Sequence, residues 1–340
     1  MRVFVTGATG FIGGRVAALL AAQGHEVHAL VRDLRQAEKL AAAGMHLHPG
    51  NVTDRESVRA AMHGADALFH LAAWYKVGVR DKSPARRTNL EGTRNVLELM
   101  RELEIPRGVY TSTVGVYSDT EGRVVDESHR HAGPWCSVYE RTKWQAHHEV
   151  ALPLMQQGLP LIVVMPGLVY GPEDQGPTHD FLVDFLQRRL SMLPRGTAFS
   201  WGHIDDTARA HLLALEHGAP GDCYHIAGPV HTMQEVVELL SRMTGLPTPR
   251  LRPGPTTMRV VAGLMRAIGT IVPLPTMYAG ETLRAIAGTT FTVSSEKAKR
   301  KLGFAPRALE VGMRETVLYE ARRLGLADIE ARVASGAPPG

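Results

Sequence analysis

Tyr139 and Lys143 stand four residues apart in the run Tyr139-Glu140-Arg141-Thr142-Lys143. On a helix this spacing puts a phenol and an ammonium on one face. A free phenol has a pKa near 10 and is a weak acid–base group at neutral pH. Lowering it by about three units takes roughly 4 kcal/mol of preferential phenolate stabilisation. A neighbouring ammonium acts in that direction. Such a phenol could protonate a carbonyl oxygen or, in reverse, deprotonate an alcohol. A hydroxyl to hold that oxygen is offered by Thr111-Ser112-Thr113-Val114-Gly115-Val116-Tyr117, which follows an apolar run. Thr113 would lie at the C-terminal end of a strand, where open α/β sheets bind ligands. Ser112 is the neighbouring alternative.

A second motif supplies the other reactant. Residues 3–13 read Val-Phe-Val-Thr-Gly-Ala-Thr-Gly-Phe-Ile-Gly. Gly7, Gly10 and Gly13 follow a predicted strand and open a predicted helix, the context in which a glycine turn cradles a pyrophosphate. The glycines allow unusual dihedrals and close approach of the backbone. The helix start adds free N–H donors and a favourable dipole for an anion. Together the two motifs predict an enzyme with a nicotinamide dinucleotide beside a proton donor.

The elements that must position these residues alternate along the first half. Strands are predicted at Val3–Thr6, Glu26–Val31, His46–Pro49, Ala67–Ala72, Gly108–Ser112 and Leu161–Met165. Helices are predicted at Phe11–Ala22, Ala37–Ala43, from a Thr53-x-x-Glu56 capping box to Met62, from Ser83-Pro84 onward, and near 137–157. This rhythm predicts an α/β fold, a doubly wound parallel Rossmann-type sheet with helices on both faces. After Pro166 glycines, prolines and longer loops predict a smaller C-terminal α/β substrate domain. We expect residues 1–170 to bind the dinucleotide, with 204–227 returning to that domain through a strand at Cys223–Ile226. Segments 171–203 and 228–322 would form the substrate domain, with a helix opened by Thr232-x-x-Glu235. Residues 323–340, rich in Ala, Gly and Pro, read as a frayed tail.

Composition narrows the class. With 340 residues, 44% hydrophobic and 21% charged, the chain reads as an ordinary soluble globular protein. Its net charge of +4 is dispersed among acids and does not predict nucleic-acid binding. Cys136 and Cys223 have no C-x-x-C spacing, and no secretory signal is legible, so a cytoplasmic location is expected. The apolar stretch 256–275 is broken by Arg259, Arg266 and prolines, which argues against an integral membrane segment. An amphipathic peripheral role for it is a distant alternative. The histidine pairs 46/48, 129/131 and 147/148 join no acid or cysteine at metal spacing, so no metal is expected.

The motifs resemble the extended short-chain dehydrogenase/reductase family. Its opening Thr-Gly-x-x-Gly-Phe-Ile-Gly is matched by Thr6 to Gly13. The resemblance implies that Gly7, Thr9, Gly10, Phe11, Ile12 and Gly13 hold the cofactor. It extends this role to Leu71, Ala72 and Ala73 after the fourth strand, to Asn51-Val52 and to Asn89. Thr111, Pro166, Gly167 and Val169 would line the same cleft, with Tyr139 and Lys143 at its reactive end. It assigns Thr113, Tyr139 and Lys143 as catalytic, with Lys143 lowering the phenol pKa and holding ribose. A homodimer through the helices at 84–104 and 137–157 is implied in the same way.

The end of the second strand decides NAD against NADP. Val31-Arg32 stands there, with no acid before Asp33, and Lys39 lies seven residues on. Two cations favour NADP(H), with NAD(H) possible, because a ribose 2′-phosphate requires charge partners. Trp74, Tyr75, Ser112, Val114, Trp135, Leu168, Tyr170 and Phe181 follow strand ends or lie in loops, where a substrate pocket wall is expected. His203-Ile204-Asp205-Asp206 reads as carboxylates capping a helix.

Within the resemblance, dihydroflavonol-reductase-like enzymes compete with nucleotide-sugar epimerases, including the hopanoid-associated sugar epimerase group. A dehydratase would carry Asp-Glu where Val114-Gly115 stands. An epimerase needs a diphosphate clamp, for which Arg188, Arg189, Arg250 and Arg252 are candidates. Met258, Met265 and Met277 lean towards a hydrophobic substrate. An NADP(H)-preferring oxidoreductase of a carbonyl/alcohol pair is the favoured reading. An NAD-dependent epimerase is the alternative, and a non-catalytic dinucleotide sensor a distant one.

Overall fold

The computed structural model describes all residues except 77, 78, 80, 272–279 and 337–340. Met277 therefore lies outside the described residues. The chain opens with β1 (Arg2–Thr6), α1 (Phe11–Ala22) and β2 (Glu26–Val31). It continues through α2 (Glu38–Ala42), β3 (His46–Pro49), α3 (Arg55–Met62) and β4 (Ala67–His70). Next come α4 (Ser83–Arg86), α5 (Thr93–Glu102), β5 (Gly108–Thr111), α6 (Val138–Gln145), α7 (Leu152–Gln156) and β6 (Leu161–Pro166).

The main sheet has seven parallel strands in the order β3-β2-β1-β4-β5-β6-β9, the last being Cys223–Ile226. The expected return of that strand to the main sheet is what the structure shows. The order reverses direction between β1 and β4, so a crevice opens at the C-terminal strand ends beside the glycine turn. β4, β5 and β6 are buried along their whole length. Strands covered on both faces must be apolar runs, which is why these segments do not alternate. Phe4, Leu68 and Tyr110 face one core with α5; Val5, Phe69 and Val164 face another with α1.

A second sheet is built from β7 (Leu168–Tyr170), β8 (Ala198–His203), β10 (Val230–Thr232) and β11 (Thr290–Phe291). Around it pack α8 (Pro177–Leu186), α10 (Met233–Thr244), α14 (Leu309–Leu324) and α15 (Ala327–Ser335), while α9 (Ile204–His217) and α13 (Glu296–Leu302) join α1 in the core of the main sheet, and α11 (Pro255–Ile271) and α12 (Gly280–Ala285) pack on each other. α10 starts with the expected capping box of Thr232 and Glu235.

Several local expectations are corrected. The fourth strand ends at His70, not Ala72, because the Ala72 N–H donates to Thr6 Oγ1 (3.2 Å) and leaves the sheet ladder. Asp54, not Thr53, caps α3, since its carboxylate accepts from the Glu56 and Ser57 N–H groups. The predicted 37–43 helix is a 3₁₀ turn at Leu34–Ala37, capped by Asp33, followed by the short α2. The helices after Ser83 and Val138 both contain π-turns, at Arg87–Gly92 and Ala146–Ala151. The C-terminus is not a frayed tail up to residue 336, since α15 buries Ile329 and Val333 against α10 and α14.

Candidate active site

β1 runs straight into the glycine turn. Gly7 has φ +78°, and a Cβ on it would lie 2.6 Å from Ala72 N. A Cβ on Gly13 would lie 2.1 Å from the Gly7 carbonyl oxygen. The turn, α1 and the Leu71-Ala72 segment are therefore pressed too closely for any side chain. Gly10 caps α1 with no side-chain acceptor, and no acid occupies the first turn. Its N–H donors and dipole are left to meet an anion, so the cradle fits a dinucleotide diphosphate. Gly13→Ala should destabilise the protein by about 1–3 kcal/mol through overpacking. Urea unfolding would measure it, and an unchanged midpoint would contradict the crowding.

Thr6 and His70 continue this junction inward. Thr6 Oγ1 and His70 Nδ1 share a 2.7 Å hydrogen bond, and His70 Nε2 pairs with Thr93 Oγ1 at 3.0 Å. Burial pushes the His70 pKa down to about 3, so the ring is neutral. It stacks on Tyr110 at 5.5 Å. Tyr110 Oη in turn accepts from Lys143 Nζ (2.9 Å), which also donates to the Thr111 carbonyl (2.8 Å). The ammonium lies 4.6 Å from the Tyr110 ring centroid. A buried polar chain thus runs from the glycine turn to Lys143. His70 and Tyr110 were not singled out in the sequence; a histidine and a tyrosine interrupting apolar strand runs are the only signals for them.

Lys143 is 1% exposed, and burial lowers its pKa to about 7. Because the folded value lies below the ordinary one, the unfolded chain binds the extra proton between about pH 7 and 10.5, and stability rises with pH there. The wild type should therefore gain thermal stability relative to Lys143→Met as pH rises from 7 to 10. A parallel pH dependence of the two melting curves would contradict a buried, depressed lysine.

Tyr139 and Thr113 meet at the end of β5. Burial raises the Tyr139 pKa to about 12, and the Thr113 hydroxyl acts weakly in the other direction. This corrects the expected depression by Lys143. That ammonium is directed to Tyr110 and Thr111, and its own charge is disfavoured by burial. Thr113 also accepts from Gly115 N (3.1 Å), which fixes its rotamer. Ser112 is buried and shares a hydrogen bond with His147 Nδ1 (2.9 Å), so of the two candidate hydroxyls Thr113 is the one beside Tyr139.

The helix carrying Tyr139 is held at its N-terminus. Ser137 Oγ accepts from Glu140 N, and the buried Glu140 carboxylate accepts from Ser118 Oγ, Cys136 N and Ser137 Oγ at 2.9–3.0 Å. Glu281 on α12 accepts from Val138 N (2.7 Å) and pairs with Lys82 (2.7 Å). Asn89 is 0% exposed. Its amide accepts from Trp74 N (2.7 Å) and donates to the Trp74 carbonyl (2.8 Å) and Thr142 Oγ1 (2.9 Å). This corrects the expected direct cofactor contact: Asn89 is a positioning residue that ties the chain after β4 to α6.

Other expected site residues divide. Leu71, Ala72, Ala73 and Trp74 lie half-buried along the crevice edge, and Tyr75 is exposed. Thr9 is exposed, with Phe11 and Ile12 half-buried behind it. Pro166 ends β6, and a Cβ on Gly167 would lie 2.2 Å from the Ser200 carbonyl oxygen. Leu168 and Val169 enter β7, with Leu168 packed on the core of the second sheet. Asn51 Oδ1 accepts from Thr53 N (3.1 Å), and Val52 is buried. Val114 is core, not pocket wall. Tyr170 is buried between Trp201 and His203, and with Phe181 it lines a different cleft beside Met313 and Glu320. Trp135 packs on Trp144. Arg32 and Lys39 are exposed and make no ion pair among the described residues.

Two further expectations are revised. His203, not an aspartate, caps α9 through Nδ1; Asp205 pairs with Arg15 (3.0 Å) and Asp206 with Arg307 (2.9 Å). Met258 and Met265 pack with Ala262 and Leu283 as a small core of their own. Among the described residues no helix is long and apolar enough to cross a membrane.

A seven-stranded doubly wound sheet with a glycine cradle at its switch point is the architecture of a dinucleotide-binding protein. Residues 3–227 match the model of the NAD dependent epimerase/dehydratase family, and the chain belongs to that family, within the extended short-chain dehydrogenases/reductases. It is similar to the 4-hydroxy-2-methyl-3-oxo-4-farnesyl-3,4-dihydroquinoline-1-oxide ketoreductase of Stigmatella aurantiaca, at 30% identity over 90% of this chain and 92% of the relative. Sterol demethylase protein B of Methylococcus capsulatus is 28% identical over 95% of this chain and 99% of its own. Among solved structures, gox2253 superposes with a TM-score of 0.81 at 29% identity, covering 95% of this chain and 98% of the other.

Proposed function

We propose that the protein is an NADP(H)-preferring oxidoreductase that interconverts a carbonyl and an alcohol. The observation that carries this reading is the glycine cradle at the end of β1 together with Lys143, one helical turn from Tyr139 on α6 and anchored on Tyr110 and Thr111 of β5. The bound nicotinamide supplies or removes the hydride. Tyr139 holds the proton that goes to the substrate oxygen. Thr113 Oγ1 orients that oxygen, and Lys143, positioned by β5, holds cofactor hydroxyls. Residues 1–170 with 204–227 would carry the cofactor, and 171–203 with 228–322 would shape the substrate site. A homodimer belongs to the same reading.

The ketoreductase relative supports carbonyl reduction over epimerisation. Of the arginines considered for a diphosphate clamp, Arg189 is paired with Asp184 at 2.9 Å. A panel of ketones, aldehydes and UDP-sugars followed at the nicotinamide absorbance tests the proposal. Net NADPH oxidation with a ketone or aldehyde supports it, and sugar epimerisation without net absorbance change overturns it.

A further inference from the structure

At the opposite end of the strands from the glycine turn, the sheet edge carries a cluster the oxidoreductase chemistry does not use. Side chains two apart on a strand share a face, so Glu26 and His28 on β2 lie beside His46 and His48 on edge strand β3. The register pairs His28 with His46 and Leu30 with His48. Sequence spacing alone shows no acid near the 46/48 pair; strand pairing brings one.

The ligand atoms of Glu26, His28 and His46 all lie within 4.8 Å of one another. Glu26 Oε1 is 2.7 Å from His28 Nε2 and 3.8 Å from His46 Nε2. Ligands on a tetrahedral ion with bonds of about 2.0–2.1 Å are roughly 3.3 Å apart, a value these separations bracket. The His28 and His46 rings are stacked, 4.7 Å between centroids and 11° from parallel, so the exposed His46 ring has to turn out of the stack for its Nε2 lone pair to meet that of His28 on one ion. His28 is buried and its other nitrogen, Nδ1, pairs with His48 Nε2 at 2.8 Å. A hydrogen bond at the second ring nitrogen is what orients a metal-binding imidazole, and here a histidine stands where a carboxylate or carbonyl is usual. Glu26 and His46 side chains are 53% and 57% exposed, leaving room for a water as fourth ligand. Among the described residues the cation in contact with the cluster is Arg2, whose Nη2 is 3.4 Å from His28 Nδ1, on the side of the ring away from Nε2.

We propose that Glu26, His28 and His46 form a binding site for a divalent transition-metal ion of the zinc class, with His48 positioning His28. The ion takes the place of the proton between Glu26 Oε1 and His28 Nε2, and that proton leaves to solvent. The site would fasten edge strand β3 to β2, whose far end leads to Arg32. The second carboxylate–histidine group, His203 with Asp205 and Glu315, carries no such proposal. Arg307 already neutralises it, with Nη1 2.9 Å from Glu315 and Nη2 3.9 Å from Asp205.

The test is titration of the full chain with Co²⁺, read by its visible d–d absorption, followed by displacement with Zn²⁺. One ion per chain is expected. Glu26→Gln and His46→Asn should each weaken it by at least about 10-fold. His48→Asn should weaken it about 10-fold and alter the Co²⁺ spectrum, which a purely structural role would not do. Both mutated ligand positions are more than half exposed, and unchanged NADPH binding verifies that the variants are folded. Absence of Co²⁺ binding to the wild type, or undiminished binding by the Glu26→Gln/His46→Asn double variant, would overturn the site.

Discussion

Tyr139→Phe should lower kcat for carbonyl reduction by about 10²–10⁴-fold, the range for loss of a positioned general acid. NADPH affinity should change little, because the ring is kept and only the hydroxyl is lost. The structure adds a pH argument. Tyr139 must be protonated to give up its proton in reduction, and burial raises its pKa to about 12. Its contribution to reduction should therefore be flat from pH 6 to 10, with no alkaline loss from this group. Alcohol oxidation needs the phenolate, so its rate should climb with pH over the same interval. Lys143, lowered to about 7, would be the group that titrates near neutrality. Steady-state kinetics in both directions would check this. An alkaline fall in reduction rate, absent in a Lys143 variant, would move the effect to the lysine; retained turnover in Tyr139→Phe would remove the phenol from its role.

How much of this was legible beforehand depended on the range of the interaction. The glycine turn, the parallel sheet and the Tyr139–Lys143 spacing rest on local signals, namely backbone freedom, apolar periodicity and helical repeat. What the sequence hid is set by partners far along the chain. Asn89 reads as a ligand contact until Trp74 and Thr142 are seen to consume its amide. Lys143 reads as a neighbour of the phenol until Tyr110 and Thr111 claim its hydrogens. The direction of the Tyr139 shift follows from burial, which no four-residue spacing encodes. Tyr170 lies after a strand end, yet β8 and α14 close over it and make it core. The Glu26–His46 neighbourhood needs the β2–β3 register before it exists at all.

Binding of NADPH should weaken by about 10²–10³-fold when Arg32 and Lys39 are both replaced by Ala. Each charge-assisted contact to a phosphate contributes about 1.5–3 kcal/mol, or roughly 10–100-fold, and two need not add in full. NADH, lacking the 2′-phosphate, should lose little. Both cations are exposed and free of ion pairs among the described residues, so no internal partner competes for them. The acid that could serve NADH is already occupied. Asp33 Oδ1 accepts from the Arg35 N–H (3.0 Å) and Nε (3.1 Å), and its Oδ2 accepts from Arg35 Nη2 (3.0 Å). Arg35 thus draws the carboxylate away from a ribose hydroxyl. Arg35→Ala should release it, and a freed Asp33 would repel a 2′-phosphate while accepting from a 2′-hydroxyl. Preference would then move towards NADH even with Arg32 and Lys39 intact. Fluorescence titration with both cofactors at low and high salt measures these shifts, since phosphate contacts made by exposed cations are screened. Equal affinity of the wild type for NADPH and NADH, or a double variant that binds NADPH as the wild type does, would show that these two cations do not read the phosphate.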